Sequence, residues 1–490
     1  MDRRHLLRLA ATLAATSLAP RARAQGQSVG TPLKPSRRGQ PRVLVIGAGI
    51  SGLAAAQRLV SELGLSAPGQ VVVLEARGRI GGRICTDTSL ASPVELGANW
   101  IHGSVGNPIS ALGAKYGAST VNTNYDSADL YDFDGSPVPF GVQTFTYLQF
   151  LQAYQAALAY IGGLTDDESL EQAFQATGAG AGLAPDAKRV FDHWKQGSFD
   201  SGWSASGTEL SGFHHDMGAA FGGVDKIFPG GYDQIPTGLA AGLDVRLGHV
   251  VERIDYSGPL VSVQTDQGEY CAEACLVTLP LGVLKAGAVD FAPILPTALT
   301  EAVQRMGFGA VYKLILEFPQ VFWNQSVHFV EYISQTAGES MGWLNVAQYS
   351  GAPILNTWTY GDHARTLEAL GEVEATSRVM DKLRQVFGAG IPNPTQVVST
   401  DWMGNAFTGG SYSFPAVGST PADYDQFLAP LQERLFFAGE HTSSLYPSTV
   451  HGAYLSGRDA AGRIVGLTEL SASAPPGAGG RRFLSRLRTR

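Results

Sequence analysis

Short apolar runs bounded by glycine mark both ends of the chain, and stretches with a 3.6-residue apolar period fill much of its middle. Residues 43–46 form an uninterrupted apolar run, Gly47-Ala-Gly49-Ile-Ser51-Gly52 follows, and residues 53–59 continue with helical patterning. A second strand, residues 70–74, ends in Glu75. This order predicts a buried strand, a tight turn, a helix and a parallel strand, which is a βαβ unit. Helical patterning predicts an inserted helical block over residues 143–158, 167–176 and 185–194, and Pro229-Gly-Gly-Tyr232 opens a further helix reaching residue 243. The alternating residues 245–255 and 260–266, joined by Ser257-Gly-Pro259, read as a hairpin. Residues 311–318, 327–333 and 354–360 read as strands of a mixed sheet, closed by an amphipathic helix over 372–387. Residues 436–439 predict a last strand stopping at Glu440, with a helix from Pro447 onward. No internal repeat is visible.

Composition narrows the possibilities. A chain of 490 residues with 44% hydrophobic content buries a large core and divides into two or more domains. A formal charge of -8, with no basic face and no GxxxxGK[ST] loop, argues against nucleic-acid binding and ATP chemistry. Arg3-Arg4, an apolar stretch over residues 9–19 and Ala22-Arg-Ala24 read as an export signal over residues 1–24, of the twin-arginine type, which implies a periplasmic or secreted protein. An ordinary secretory signal is the alternative. Cleavage would remove five arginines and one aspartate, leaving a more acidic body suited to cationic substrates. No other run reaches the roughly 18 apolar residues of a transmembrane segment. Residues 25–40 read as a linker and residues 471–490 as a flexible basic tail, either solvated or in contact with an anionic membrane surface. Cys85, Cys271 and Cys275 provide no disulfide framework. Cys271 and Cys275 are read within one strand, about 13 Å apart and too far to bridge, so three free thiols and no metal site are expected.

The glycine-rich turn has a specific chemistry. Gly47 permits the tight turn, Gly49 lets the backbone approach a pyrophosphate, Gly52 lets helix and strand pack closely, and the helix N-terminus attracts phosphate. Glu75 is placed to accept hydrogen bonds from a ribose. Four further motifs follow in order: Glu75-Ala76-Arg77-Gly-Arg-Ile-Gly-Gly82-Arg83, Glu95-Leu-Gly97-Ala98-Asn99-Trp100-Ile-His102-Gly103, Thr278-Leu-Pro-Leu-Gly-Val-Leu-Lys285, and a C-terminal segment around Phe436-Phe-Ala-Gly439-Glu440. Together they resemble the FAD-dependent amine oxidases, in the polyamine oxidase branch, over roughly residues 42 to 468. The stretch Tyr446-Pro-Ser-Thr449-Val450-His-Gly452 is also similar to the lysine-specific histone demethylase.

The resemblance implies an α/β fold of two domains: a discontinuous Rossmann-like FAD domain from residues 41–120, 226–298 and 401–470, and a substrate domain of helices on a mixed sheet from residues 121–225 and 299–400. It implies FAD held by Gly47, Gly49, Ser51, Gly52, Glu75, Ala76, Arg77, Gly82, Arg83, Gly97, Ala98, Asn99, Trp100, Val251, Gly439, Glu440, Thr449 and Val450. Lys313 interrupts an apolar strand, where a charge is costly without a partner. In relatives a lysine at this place sits beside flavin N5, bridged by a water. Trp402 and Tyr412 match aromatic positions facing the flavin and the substrate nitrogen, and Thr449 stands where monoamine oxidases have the second tyrosine of the cage. Ser411 stands where those enzymes attach FAD through a cysteine, which implies noncovalent FAD. His102 matches a histidine at the active-site mouth, and Asp216 and Asp225 lie where relatives supply carboxylates for a cationic substrate. Asn99 and Trp100 replace the arginine of an L-amino acid oxidase. The implied reaction is oxidation of a polyamine C–N bond by hydride transfer to N5, imine hydrolysis, and reoxidation by O2 to hydrogen peroxide. A dehydrogenase reducing a cytochrome or quinone, an oxidase of another primary amine, and a flavin-binding interaction protein remain as alternatives.

Overall fold

The computed structural model describes residues 41–466, so the predicted export signal, the linker over 25–40 and the tail over 471–490 lie outside the described residues. The opening βαβ unit forms as its pattern predicts. Val43–Ile46 and Val71–Leu74 are buried at every position, as strands covered on both faces must be, and they pair in parallel. The parallel sheet runs in the order Leu435–Phe437, Ala274–Val277, Val43–Ile46, Val71–Leu74, Asp244–Arg246, so segments from both ends of the described chain share one sheet. Helix Ile50–Ser61 follows the first strand and packs against the last helix, Val450–Ile464. Gly47 has φ 103° and a Cβ on Gly52 would stand 2.0 Å from the carbonyl oxygen of Gly47, so only glycine closes this turn against the helix.

Two strand readings are corrected. Residues 245–255 are not one strand: Asp244–Arg246 joins the edge of the parallel sheet, and Val251–Asp255 begins an antiparallel meander with Val261–Thr265 and Gly268–Ala272. The break falls where the His249 N–H donates to the Glu75 carbonyl oxygen at 2.9 Å and turns the chain out of the first sheet. Cys271 and Cys275 likewise belong to different strands of different sheets, Gly268–Ala272 and Ala274–Val277, and all three cysteines are free.

A second sheet of six strands runs in the order Gln396–Ser399, Val311–Glu317, Ile354–Tyr360, Met341–Asn345, Phe329–Tyr332, Ala128–Tyr131. Half of these strands are absent from the sequence reading, because Ala128–Tyr131 is short and polar, Met341–Asn345 contains Gly342, and Gln396–Ser399 is a half-exposed edge. One face of this sheet, with Leu314, Leu316, Val330 and Trp343, packs with Leu367, Val379 and Leu383 of helices Gly361–Leu370 and Glu372–Phe387. The other face looks toward helix Pro185–Trp203 and encloses a cavity.

The helical insertion comprises Phe140–Ile161, Leu170–Ala176 and Pro185–Trp203, the last running well beyond its predicted end at residue 194. Ser169 and Gln172 form a capping box at the middle helix. Phe150, Phe174, Phe191 and Phe199 fill the space between the three helices. The helix expected from residue 232 to 243 is only Gln234–Ala240.

Candidate active site

A cavity of about 570 Å³ runs from the glycine-rich turn to the face of the second sheet, within the usual range for a bound cofactor or ligand. At its first end, helix Ile50–Ser61 starts at Gly49 with no capping side chain and no acidic residue in its first turn. Its N-terminal N–H groups therefore remain available to an anion. A Cβ on Gly49 would meet nothing within 4 Å, so the backbone there faces open cavity. The buried Glu75 carboxylate accepts the Ala48 N–H at 2.7 Å and the Arg77 N–H at 2.9 Å, which holds it at the strand end with lone pairs left for hydroxyl donors. Ser51, Ala76, Gly82, Val251 and Val450 line the same cavity, whereas Gly52 is a packing residue behind it. These features fit a dinucleotide with its pyrophosphate on the helix and its ribose at Glu75.

In the middle of the cavity the wall is fastened by an ion pair between partly buried Arg83 and buried Glu440. Arg83 donates to Glu440 Oε1 at 2.8 Å and to the Ser411 carbonyl at 2.8 Å, while Glu440 also accepts the Ser413 hydroxyl at 2.6 Å and the Ser448 N–H at 3.1 Å. Burial pushes the Glu440 carboxyl up, but Arg83, His441 and the Ser413 bond outweigh it and hold the group below the usual carboxylate value. Glu440 therefore clamps three chain segments around the cavity beside Gly439. Arg77 donates to Asn405 Oδ1 at 2.6 Å and lies over the rings of Trp402 and Phe407.

Lys313 stands at the head of the cavity, 5% exposed, on strand Val311–Glu317. Its Nζ donates to the Glu95 carbonyl at 2.8 Å, the Gly97 carbonyl at 2.6 Å and Asn99 Oδ1 at 3.2 Å, which uses all three donors of an ammonium. Burial pushes the Lys313 ammonium well down from its ordinary value and the nearby Glu95 carboxyl well up. Nζ also sits 5.3 Å from the centre of the Trp358 ring, which packs edge-on against Trp100 at 4.4 Å.

Gly97, Ala98, Asn99, Trp100, Trp402, Tyr412 and Thr449 all line the cavity. The Trp402 indole donates to the Leu96 carbonyl at 2.9 Å, and the Tyr412 hydroxyl donates to the Ser201 carbonyl at 3.3 Å. The Thr449 hydroxyl is engaged elsewhere: it caps helix Val450–Ile464 by accepting the Gly452 N–H at 3.0 Å and donates to the Tyr446 carbonyl at 2.9 Å. His102 lines the cavity, with its Nδ1 held 2.7 Å from Asp225, which also accepts the Tyr125 hydroxyl at 3.0 Å. That carboxylate selects the tautomer with the proton on Nδ1.

Asp216 is corrected: it is exposed and takes no part in the lining. Its neighbour His215 turns inward, with Nδ1 on the Gly212 carbonyl at 2.7 Å and Nε2 on the Tyr154 hydroxyl at 2.9 Å, which directs Asp216 to solvent. The cavity instead holds Glu331, whose Oε2 lies 2.8 Å from His193 Nε2. Trp358, Tyr125, Gly342, Glu331 and His193 are lining residues absent from the sequence reading. A lone carboxylate, Glu331, inside the otherwise buried apolar strand Phe329–Tyr332 was the available signal. Among the described residues no cluster of His, Cys, Asp and Glu forms a metal site, and no helix is long and apolar enough to cross a membrane.

A family profile described as flavin containing amine oxidoreductase matches residues 50–465. The chain is 33% identical over 445 residues to polyamine oxidase 2 of Arabidopsis thaliana, covering 86% of this chain and 87% of that protein. It is 32% identical over 458 residues to lysine-specific histone demethylase 1 homolog 1 of Oryza sativa subsp. japonica, covering 89% of this chain and 53% of that protein, so it spans about half the length of this relative. A putrescine oxidase solved with putrescine bound shares the fold, with a TM-score of 0.70 and 19% identity over 87% of this chain and 99% of that one. With motif order, cavity and profile in agreement, the chain belongs to the family of flavin-containing amine oxidoreductases, and FAD is its cofactor.

Proposed function

We propose that this enzyme oxidises a C–N bond of a polyamine of the spermidine, spermine and putrescine class, releasing an aldehyde and an amine, with O2 reduced to hydrogen peroxide. The observation that carries the reading is one continuous cavity joining the dinucleotide turn at Gly47 and Gly49 to a second end lined by Lys313, Trp402, Tyr412 and Glu331. Similarity to a polyamine oxidase over most of both chains supports the substrate class. FAD held at the glycine-rich turn and by the Glu75 end of the cavity would supply a two-electron acceptor for the hydride from the carbon next to the amine nitrogen, with O2 as the final oxidant. Tyr412 and Trp402 orient the nitrogen between aromatic faces and exclude water during that step. A protonated amine has no lone pair to stabilise the developing iminium, so the rate rises as substrate or site loses a proton. Water then adds to the imine carbon and the C–N bond breaks. Asn99, Gly97 and Glu95 fix the Lys313 side chain at the head of the cavity.

FAD is noncovalent in this reading. None of the three cysteines lines the cavity, and Ser411, at the position where a cysteine carries the link in relatives, accepts the Val311 N–H at 2.8 Å through its hydroxyl. The paired arginines and apolar stretch at the start of the chain further lead us to place the enzyme in the periplasm or outside the cell, exported folded. Anaerobic mixing with putrescine, spermidine, spermine, acetylated polyamines and aryl monoamines is the test, with an oxygen electrode beside it. Bleaching of the flavin by a polyamine together with O2 consumption is expected. No bleaching by any amine rejects the reading, and turnover only with an artificial dye makes the enzyme a dehydrogenase.

A further inference from the structure

The strand register places four cavity-lining residues in one row across the second sheet. Lys313 is opposite Trp358, Trp358 opposite Gly342, and Gly342 opposite Glu331. Directly opposed residues share a face, and all four line the cavity. Neighbouring strands lie about 4.8 Å apart, so three steps put Glu331 about 14 Å from Lys313 along the row. Between them Trp358 supplies an aromatic wall, and Gly342 has no side chain. A Cβ at Gly342 would meet nothing within 4 Å, and its backbone is not left-handed, so the gap is open cavity. At the far end Glu331 is held by His193 from helix Pro185–Trp203. Gln196, on the same helix, is fixed by bonds to the Gly338 and Ser340 carbonyls at 2.9 and 3.4 Å. The row thus leads from a buried lysine, past an aromatic face and a bare glycine floor, to a carboxylate.

We infer that Glu331, oriented by His193, is a docking point for a second ammonium group of the substrate, and that Gly342 leaves the trough through which the chain between the two nitrogens passes. This rests on the amine-oxidising reading above and adds a length to it. The reacting nitrogen lies between Tyr412 and Trp402 near the Lys313 end of the row and the distal one beside Glu331, so each end takes up part of the 14 Å and leaves roughly 11 Å between nitrogens. An extended chain advances about 1.25 Å per bond, so this span corresponds to about nine bonds. A four-carbon diamine, with five bonds between its nitrogens, is too short to reach both ends. A linear triamine with about nine bonds between its terminal nitrogens reaches both.

The experiment is a series of α,ω-diamines with four, six, eight and ten methylenes, each paired with the n-alkylamine of equal length, in anaerobic flavin reduction of the holoenzyme. Apparent affinity of the parent should rise about tenfold for the eight-methylene diamine beyond what the matched alkylamine gains, since one well-placed charge-assisted contact has that effect. Glu331→Gln should remove this extra gain, so that each diamine and its matched alkylamine bind alike. Gly342→Leu should block amines of eight methylenes and longer and spare the shortest. A second chain position is tested because Glu331 also ties helix to sheet, whereas a Cβ at Gly342 would meet nothing within 4 Å. Diamines no better than alkylamines at any length, or a length profile that both variants leave unchanged, overturns the docking point while amine oxidation stands. Bleaching by no amine at all overturns amine oxidation and the docking point together.

Discussion

Removing the Glu440 carboxylate tests whether the cavity wall is held by the buried clamp. Glu440 is 5% exposed and accepts from Arg83, from the Ser413 hydroxyl and N–H, and from the Ser448 N–H. Glu440→Ala strips these partners at once and strands the Arg83 cation, so it should cost about 3–5 kcal/mol. Arg83→Met leaves the carboxylate with its Ser413 and Ser448 donors and should cost less, about 2 kcal/mol. The double variant should be destabilised by about 2 kcal/mol less than the sum, because the second change removes the stranded partner. Denaturant midpoints of the apoprotein, with reversibility checked on each variant, measure the cycle free of cofactor-binding energy. Additivity within about 0.5 kcal/mol would refute the clamp. The sign with pH is also fixed. A carboxyl held below its ordinary value contributes stability above that value and loses it as pH falls through the folded one, so the parent should lose its margin over Glu440→Ala in acid.

Lys313→Met should slow flavin reduction or reoxidation at least about tenfold while FAD affinity changes much less; stopped-flow traces matching the parent in both half-reactions would remove Lys313 from the chemistry. Acid precipitation should release the yellow cofactor into the supernatant, and colour retained in the pellet would contradict the noncovalent reading at Ser411. Burial drives the His441 imidazole down from 6.5 to about 4, and neither ring nitrogen has a hydrogen-bond partner among the described residues. The unfolded chain therefore takes up the proton first as pH falls, and about 3 kcal/mol of stability is lost between those two values. His441→Leu should flatten the decline over that range in pH-dependent denaturant midpoints; an unchanged slope would show that other groups produce it.

What the sequence revealed about the site was what depends on neighbours along the chain. Gly47, Gly49, Gly52 and Glu75 were legible because turn, helix start and strand end lie within one short unit, and Lys313 because a charge in an apolar run needs a tertiary reason. Asp216 and Asp225 sat in similar local contexts, and only the inward turn of His215 decides that the first faces water while the second holds His102. Glu331 stayed hidden for a related cause. Its strand was read correctly in outline, but which face of that strand meets a helix layer and which meets a cavity is set by residues far away in the chain. Thr449 was assigned to the cage from its position, yet a threonine just before a helix is also the usual cap, and its bonds follow that second role.

The central parallel sheet has a consequence for biosynthesis. Its edge strand Leu435–Phe437 and the helix Val450–Ile464 that covers Ile50–Ser61 leave the ribosome last, after all other sheet members. The opening βαβ unit must therefore wait as an unfinished layer, and Ala274–Val277, paired with Val43–Ile46 on one side only, lacks its outer neighbour while more than one hundred and fifty residues are translated. Vectorial folding from the N-terminus cannot complete such a topology. Gly439, Glu440, Thr449 and Val450 complete the cavity lining only once this part of the chain is made, so a nascent polypeptide truncated before residue 435 should neither retain flavin nor resist protease.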